Sequence, residues 1–440
     1  MKKSQYNYFF DYQDKKLAFN SMTCALALVK EDFFYLYNNL DNIGDAELSD
    51  EKSKLLSEMK RGGFVIDDST DEIARIKYRN MNGKFANDHL SLVIAPTLAC
   101  NFGCPYCYEN PKGGQMSAEV QDKLVQIVSE AAERKKNIQI TWYGGEPLLA
   151  KNVIYALSQR FMEVCDKYGV RYYADIITNG YLIEDSDVDN FKRFKIHGVQ
   201  ITIDGPERVH NSRRFLKADP TKGTFSVIVN NVRKLYDAQI GVALRVNIDK
   251  TNIDETKELI LYFKSLNLNN LFVSFGHVSA YTDKNVEIKE SCLSVAEYSR
   301  ESLELQEFLH DNGFRASGFP YYPGIKGNYC GADSVNTYVI DHEGYKYKCW
   351  NEVGNIDMSV GNILWDYKDY SDEMISREIA YVTWNPFEQE ECKKCFLLPI
   401  CMGGCPYTGK KNGSVLCERW KYNIKDVLIK TYEQKTTNNT

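Results

Sequence analysis

The chain has 440 residues, with 54 Lys plus Arg against 60 Asp plus Glu and a formal net charge of −6. Its 43% hydrophobic content supplies a core, so disorder is excluded and the length suits two or three domains. No long apolar run occurs, and the start, MKKSQYNYFFDYQDKK, has no signal-peptide core. The expectation is therefore a cytoplasmic chain with no membrane partner. An acidic balance without a Lys/Arg block argues against nucleic acid as a partner.

In chain order, residues 1–85 open with strand-like YNYFFDYQ and LAFNSMT, then helical EDFFYLYNNL and SDEKSKLLSEMKRG, then a turn into GFVIDDSTDEIARIKYRNM. From residue 91 the patterns alternate. Apolar, β-branched runs predict strands at 91–97, 138–143, 172–177, 198–203, 241–247 and 270–276. Amphipathic periodicity predicts helices at 118–134, 151–168, 183–194, 225–238, 254–265 and near 293–313. Such alternation belongs to the α/β class with parallel strands, and six units rather than eight give an open, partial (β/α)6 TIM-like barrel. Polar turns follow three strands: Thr178-Asn179-Gly180, Thr202-Ile203-Asp204-Gly205-Pro206 and Arg245-Val246-Asn247. All three fall at the barrel face where such folds carry their sites, although Asn-Gly and Gly-Pro are also ordinary turn residues. Residues 433–440 read as a polar tail.

Thirteen cysteines are unevenly spaced, and ten of them form two clusters. A reducing compartment disfavours a disulfide framework and favours metal or redox chemistry. Cys100-x3-Cys104-x2-Cys107 follows the first barrel strand and supplies three thiols with no nearby His. A structural zinc site takes four ligands, so this trio leaves one corner of a metal centre free.

The trio, with aromatic Tyr106 before its last thiol, is followed by Trp142-Tyr143-Gly144-Gly145-Glu146-Pro147 at the end of the second strand. Together these resemble the radical S-adenosylmethionine enzymes. The resemblance implies that Cys100, Cys104 and Cys107 hold a [4Fe-4S] cluster whose open iron is chelated by S-adenosylmethionine. It further implies that Gly144, Gly145, Glu146 and Pro147 bind the methionine amino group and that Thr202 contacts the methionine carboxylate. Asn179 would form part of the wall, and Tyr106, Asp204 and Asn247 join the cofactor-binding set.

Cys330, Cys349, Cys392-x2-Cys395-x5-Cys401-x3-Cys405 and Cys417 form the second cluster. This spacing resembles the SPASM extension of peptide-modifying radical enzymes, which holds two auxiliary [4Fe-4S] clusters, for three in all. The resemblance assigns Cys392, Cys395, Cys401 and Cys417 to the distal cluster and Cys330, Cys349 and Cys405 to the nearer one. Sulfatase maturases carry a further Cys where this chain has Asn336, and an Asp base where it has Trp350. The nearer cluster is thus short of one thiol, which brings thioether-forming maturases to mind, with Cys292, Cys24 or a non-Cys side chain as the alternative fourth ligand; Trp350 in place of the Asp base disfavours sulfatase maturation. Zinc ribbons share the C-x2-C pairing and stay as an alternative for this segment.

The domain order expected is 1–85, resembling a winged-helix leader-recognition domain; 86–315, the radical barrel; 316–432, the SPASM domain; and 433–440. A cap without a binding role is the alternative for the first. The function implied is cleavage of S-adenosylmethionine to a 5′-deoxyadenosyl radical and crosslinking of a precursor peptide, thioether ahead of carbon–carbon. The partners would be the leader-bearing peptide and a low-potential donor such as flavodoxin or ferredoxin. A sulfatase-maturase-like Ser or Cys oxidase is the alternative within the enzymes. A non-catalytic iron–sulfur carrier or zinc-scaffolded peptide-binding module is the alternative outside them. No base is assigned.

Overall fold

The structure, a computed structural model, describes residues 1–43, 48–109, 111–280, 282–314 and 322–437. It divides into two compact units. One comprises Phe85–Phe319 and Gly331–Thr383, the other Met1–Lys84, Pro320–Cys330 and Trp384–Thr440. Residues 331–383, which the sequence pattern attaches to a C-terminal domain, fold with the barrel.

In the larger unit six strands alternate with helices: β1 (His89–Ile94), α1 (Ala118–Ala132), β2 (Asn137–Trp142), α2 (Lys151–Tyr168), β3 (Arg171–Thr178), α3 (Asp185–Arg193), β4 (Ile196–Thr202), α4 (Phe225–Asp237), β5 (Gly241–Ile248), α5 (Thr256–Ser265), β6 (Phe272–His277) and α6 (Val295–Asp311). The six strands run parallel in sequential order, and each lies within three residues of its expected range. A short helix, Glu207–Arg213, interrupts the connection from β4 to α4. On the far side of β1 the sheet continues through β7 (Thr337–Ile340), parallel to β1, then β8 (Tyr345–Tyr347) and β9 (Gly361–Asn362), both antiparallel.

Strand periodicity decides what lies on each side of this sheet. On β5, Val242, Leu244, Val246 and Ile248 are buried in the layer against the helices, while Ala243, Arg245 and Asn247 point into the lumen. Leu124 and Val128 of α1 meet Ile138 and Ile140 of β2 in the same core. Each such side chain contributes about 1.5–3 kcal/mol by burial. Local signals set the helix ends: Ser117 Oγ accepts from the Val120 N–H at 3.3 Å to start α1, and Gly169, left-handed at φ +67°, stops α2.

The smaller unit holds an antiparallel sheet of Asn7–Tyr12, Lys15–Asn20 and Ala25–Val29 in that order. Helices Glu31–Asn38 and Asp50–Arg61 pack on it through Phe33, Leu36, Leu56 and Met59. Its last helix, Trp420–Thr437, extends well into the stretch read as a tail. Tyr12 donates to Glu433 of that helix, and Tyr8 stacks on Phe396 with ring centroids 4.6 Å apart. Among the described residues no helix is long and apolar enough to cross a membrane.

Candidate active site

The cysteine loop leaves β1 and is held by backbone on both sides. Glu146 N–H donates to Ala99 O (2.8 Å), Gly103 N–H to Phe215 O (3.0 Å) and Lys217 N–H to Asn101 O (2.9 Å). The glycines after β2 make the first contact feasible. A Cβ on Gly144, where φ is +123°, would meet Thr97 O at 2.2 Å, and one on Gly145 would meet Ala99 O at 2.4 Å. The two backbones can run this close only because the Gly144–Gly145 side carries no side chain at the crossing.

Glu146 is fully buried, and its carboxylate accepts from Thr178 Oγ1 (2.6 Å), the Asn179 N–H (2.7 Å) and the Leu148 N–H (3.1 Å). Burial still pushes its carboxyl above the ordinary range. It therefore ties the end of β2 to the end of β3, and Asn179 reaches on to the cysteine loop, its Nδ2 donating to Asn101 Oδ1 at 2.7 Å. Pro147 opens the turn behind Glu146.

Tyr106 binds the opposite wall. Its hydroxyl donates to Asp204 and accepts from Arg214 Nη1 at 2.7 Å and from Asn247 Nδ2 at 3.5 Å. Asp204 also accepts the Asn247 N–H at 3.0 Å, so the ends of β4 and β5 close on the same ring. Thr202 is the last residue of β4, buried, in register with Arg245. Arg213 bonds both oxygens of Asp249 (3.0 and 2.9 Å) and lies over the Tyr106 ring at 5.0 Å. The ends of β1 to β5 thus bring Tyr106, Gly144, Gly145, Glu146, Asn179, Thr202, Asp204 and Asn247 to one mouth.

Burial is the main effect on the three thiols: Cys100 is pushed up to about 12, Cys107 to about 11, and Cys104 is also raised. Ionised, these thiolates need compensating positive charge, which a bound metal centre supplies. All three are free of disulfides. Among the described residues no three His, Cys, Asp or Glu side chains converge tightly enough for a single metal ion. An all-thiol, three-point donor set around a mouth lined by Asp204, Asn179 and Arg214 fits an iron–sulfur cluster with a polar ligand beside it.

Sequence reasoning missed several residues here. Arg213 and Arg214 were signalled only by an adjacent pair of cations eight and nine positions after Gly205. Tyr108 and Tyr143 share a 2.6 Å hydroxyl hydrogen bond, and Trp350 packs on Tyr143 at 4.8 Å. Burial raises the Glu109 carboxyl beside them to about 7. Cys349 lies near enough to Tyr108 for its charge to be felt there.

In the smaller unit, burial raises Cys392 to about 11, with Cys395 and Cys417 adding to the effect. Cys401 is raised to about 11 and receives the Gly403 and Gly404 N–H groups. Three consecutive left-handed residues, Met402, Gly403 and Gly404, turn those donors inward, a backbone arrangement that favours an anionic sulfur. Cys330 and Cys405 both neighbour the half-buried Tyr329.

Residues 94–263 match the family described as the radical SAM superfamily. Those residues form a radical SAM domain, a kind of domain whose chemistry uses a [4Fe-4S] cluster and S-adenosylmethionine. It is 27% identical over 350 residues to the cysteine-type anaerobic sulfatase-maturating enzyme of Clostridium perfringens, covering 72% of this chain and 88% of that one. It is 26% identical over 174 residues to the sporulation killing factor maturation protein SkfB of Bacillus subtilis, covering 39% and 38%. In fold it resembles anSMEcpe with bound AdoMet and Cp18Cys peptide (TM-score 0.59, 21% identity, 78% of this chain and 99% of that one). It also resembles Streptococcus suis SuiB bound to precursor peptide SuiA (TM-score 0.53, 15% identity, 95% and 98%). The chain is thus similar to radical SAM maturases of two kinds, sulfatase maturases and peptide modifiers.

Proposed function

We propose that this enzyme matures a ribosomally made precursor peptide by installing a crosslink, a thioether ahead of a carbon–carbon bond. The supporting observation is the clamp of the Cys100–Cys107 loop between the Gly144-Gly145-Glu146 turn and the Tyr106–Asp204–Arg214 network. Cys100, Cys104 and Cys107 would hold the cluster, and Gly144 to Pro147, Asn179, Thr202, Asp204, Asn247 and Tyr106 would hold S-adenosylmethionine. When bound, that pair supplies hydrogen-atom abstraction from an unactivated C–H bond. The chain's own work is to orient and to exclude water. Glu146 fixes the adjoining loops at the ends of β2 and β3, and Arg214 with Asp204 keeps the Tyr106 ring from swinging.

The SPASM cysteines would hold two auxiliary clusters. Asn336, at the position of the missing thiol, is committed elsewhere: its Nδ2 donates to Ala86 O and its Oδ1 accepts from Lys135 Nζ at 3.0 Å. On the ligand assignment that the resemblance implies, Cys330, Cys349 and Cys405 would receive no fourth thiol from that position, and a substrate thiolate taking the place would favour thioether formation. The sheet of residues 7–29 supports leader recognition, because its outer strand Ala25–Val29 offers an edge to which a peptide strand can add. A low-potential donor such as flavodoxin or ferredoxin would supply the electron, and the cytoplasm suits that chemistry.

Oxidation of a sulfatase Ser or Cys is the second reading, favoured by the 88% coverage of the Clostridium relative. Anaerobic reconstitution with dithionite and S-adenosylmethionine is expected to yield 5′-deoxyadenosine, and its absence removes both readings. With a co-expressed short Cys-bearing peptide, a two-dalton loss together with a thiol that no longer alkylates supports the crosslink. An oxidised sulfatase residue instead selects the second reading.

A further inference from the structure

Arg245 occupies the lumen side of β5, between core-facing Leu244 and Val246, and is half-buried. Its guanidinium rests on β6. A Cβ on Gly276 would meet its Nη2, Cζ and Nε at 2.1 to 2.3 Å, so only glycine gives the group this seat. Gly276 is in register with Asn247, which places the guanidinium at the level of the barrel mouth. Nε donates to Asn247 Oδ1 at 3.2 Å, the one side-chain hydrogen bond Arg245 makes among the described residues. Among the described residues its Nη donors meet no carboxylate.

The surrounding groups explain why none reaches it. Asp204 is committed to Tyr106 and the Asn247 N–H. Glu146 is committed to Thr178, Asn179 and Leu148. Asp175, on the lumen side of β3, is level with Gly198 on β4, whose N–H it accepts, while Arg245 is level with Thr202. Four residues of strand separate the two levels, about 13 Å. Arg213 is engaged with both oxygens of Asp249, and Arg214 holds Tyr106 through Nη1. A half-desolvated guanidinium with its fork unused is a receptor for a carboxylate.

We propose that Arg245, seated on Gly276, is a specificity residue that binds an Asp or Glu side chain of the peptide entering the barrel; this rests on the peptide-maturase reading above. The carboxylate of a bound S-adenosylmethionine has the same chemistry. The cofactor set reaches Thr202 and Asn247, which adjoin Arg245 on β4 and β5; the peptide is favoured because the guanidinium itself rests on β6, a strand that carries no residue of that set.

The test uses the full reconstituted chain with S-adenosylmethionine and a pool of short random-sequence peptides, sequencing what is retained. Wild-type protein is expected to enrich Asp and Glu about tenfold, R245Q to lose that enrichment, R245K to keep part of it and R245E to favour Lys and Arg. Equilibrium dialysis of S-adenosylmethionine without peptide is expected to stay within about twofold for all four. Unchanged acidic enrichment in R245Q, or no acidic enrichment by wild-type protein, overturns the proposal. So does a tenfold loss of S-adenosylmethionine affinity with peptide selection unaltered. If wild-type protein forms no 5′-deoxyadenosine, the failure lies instead with the peptide-maturase reading.

Discussion

Single residues at the mouth carry constraints that can be tested one at a time. Gly144 and Gly145 were legible as a motif, but the reason for them is tertiary: the carbonyls of Thr97 and Ala99 occupy the space a side chain would need. Gly144→Ala and Gly145→Ala are each expected to destabilise by about 1–3 kcal/mol in a denaturant titration. They should also reduce 5′-deoxyadenosine formation more than Gly113→Ala, where a Cβ meets nothing within 4 Å. His210 shows the opposite case, invisible in the sequence because its neighbours come from the fold. It is fully buried, its Nδ1 accepts the Asp204 N–H at 3.4 Å, and burial first, then Arg214 and Arg213, holds its pKa well below the usual value. The unfolded chain takes up a proton at this histidine near pH 6.5 while the folded chain does not, so its contribution is present above that pH and is lost on acidification. The loss is about 1.4 kcal/mol per pH unit below 6.5. His210→Gln is expected to flatten the dependence of the urea midpoint between pH 5.5 and 7.5, and an unaltered slope would contradict this account.

Elements of the barrel were readable because each one satisfies its own period. Strands 241–247 and 270–276 predicted from β-branched runs became Gly241–Ile248 and Phe272–His277, and helix 151–168 matches to the residue. What failed to show was pairing across distance. β7 joins β1 through Thr337↔Ser91 to Ile340↔Ile94, a register between segments more than 240 positions apart that no local pattern encodes. The helix near 293–313 has a start signal of its own. Ser294 Oγ accepts the Glu297 N–H at 3.2 Å while Glu297 Oε2 accepts the Ser294 N–H at 2.7 Å, a reciprocal cap on α6. Ser294→Ala is expected to lower stability by about 1 kcal/mol. The double variant with Glu297→Ala should cost less than the sum of the two single changes, because both act on one cap; additive losses in thermal unfolding would show that the box is not a unit.

At the scale of the whole molecule, ten clustered cysteines were legible from spacing, whereas their distribution was not. Cys100, Cys104, Cys107 and Cys349 belong to the larger unit, and Cys330, Cys392, Cys395, Cys401, Cys405 and Cys417 to the smaller. Chain continuity does not reveal this, because the barrel sheet takes in residues 337–362 and the chain then returns to pack with its own N-terminal sheet. The division predicts separable losses. Cys104 sits in the clamped loop whose neighbours are Arg214 and Asp204, so Cys104→Ala should abolish cleavage of S-adenosylmethionine. Cys395 adjoins Cys392 in a short turn of the other unit, its N–H donating to Cys392 O at 3.1 Å, so Cys395→Ala should keep part of that cleavage while losing peptide product. Iron and sulfide analysis is the accompanying measurement. Three cubanes correspond to about twelve irons per chain, and either variant should lose about four of them. Equal loss of 5′-deoxyadenosine in the two variants, at equal iron content, would mean that the two cysteine sets do not divide the chemistry between them.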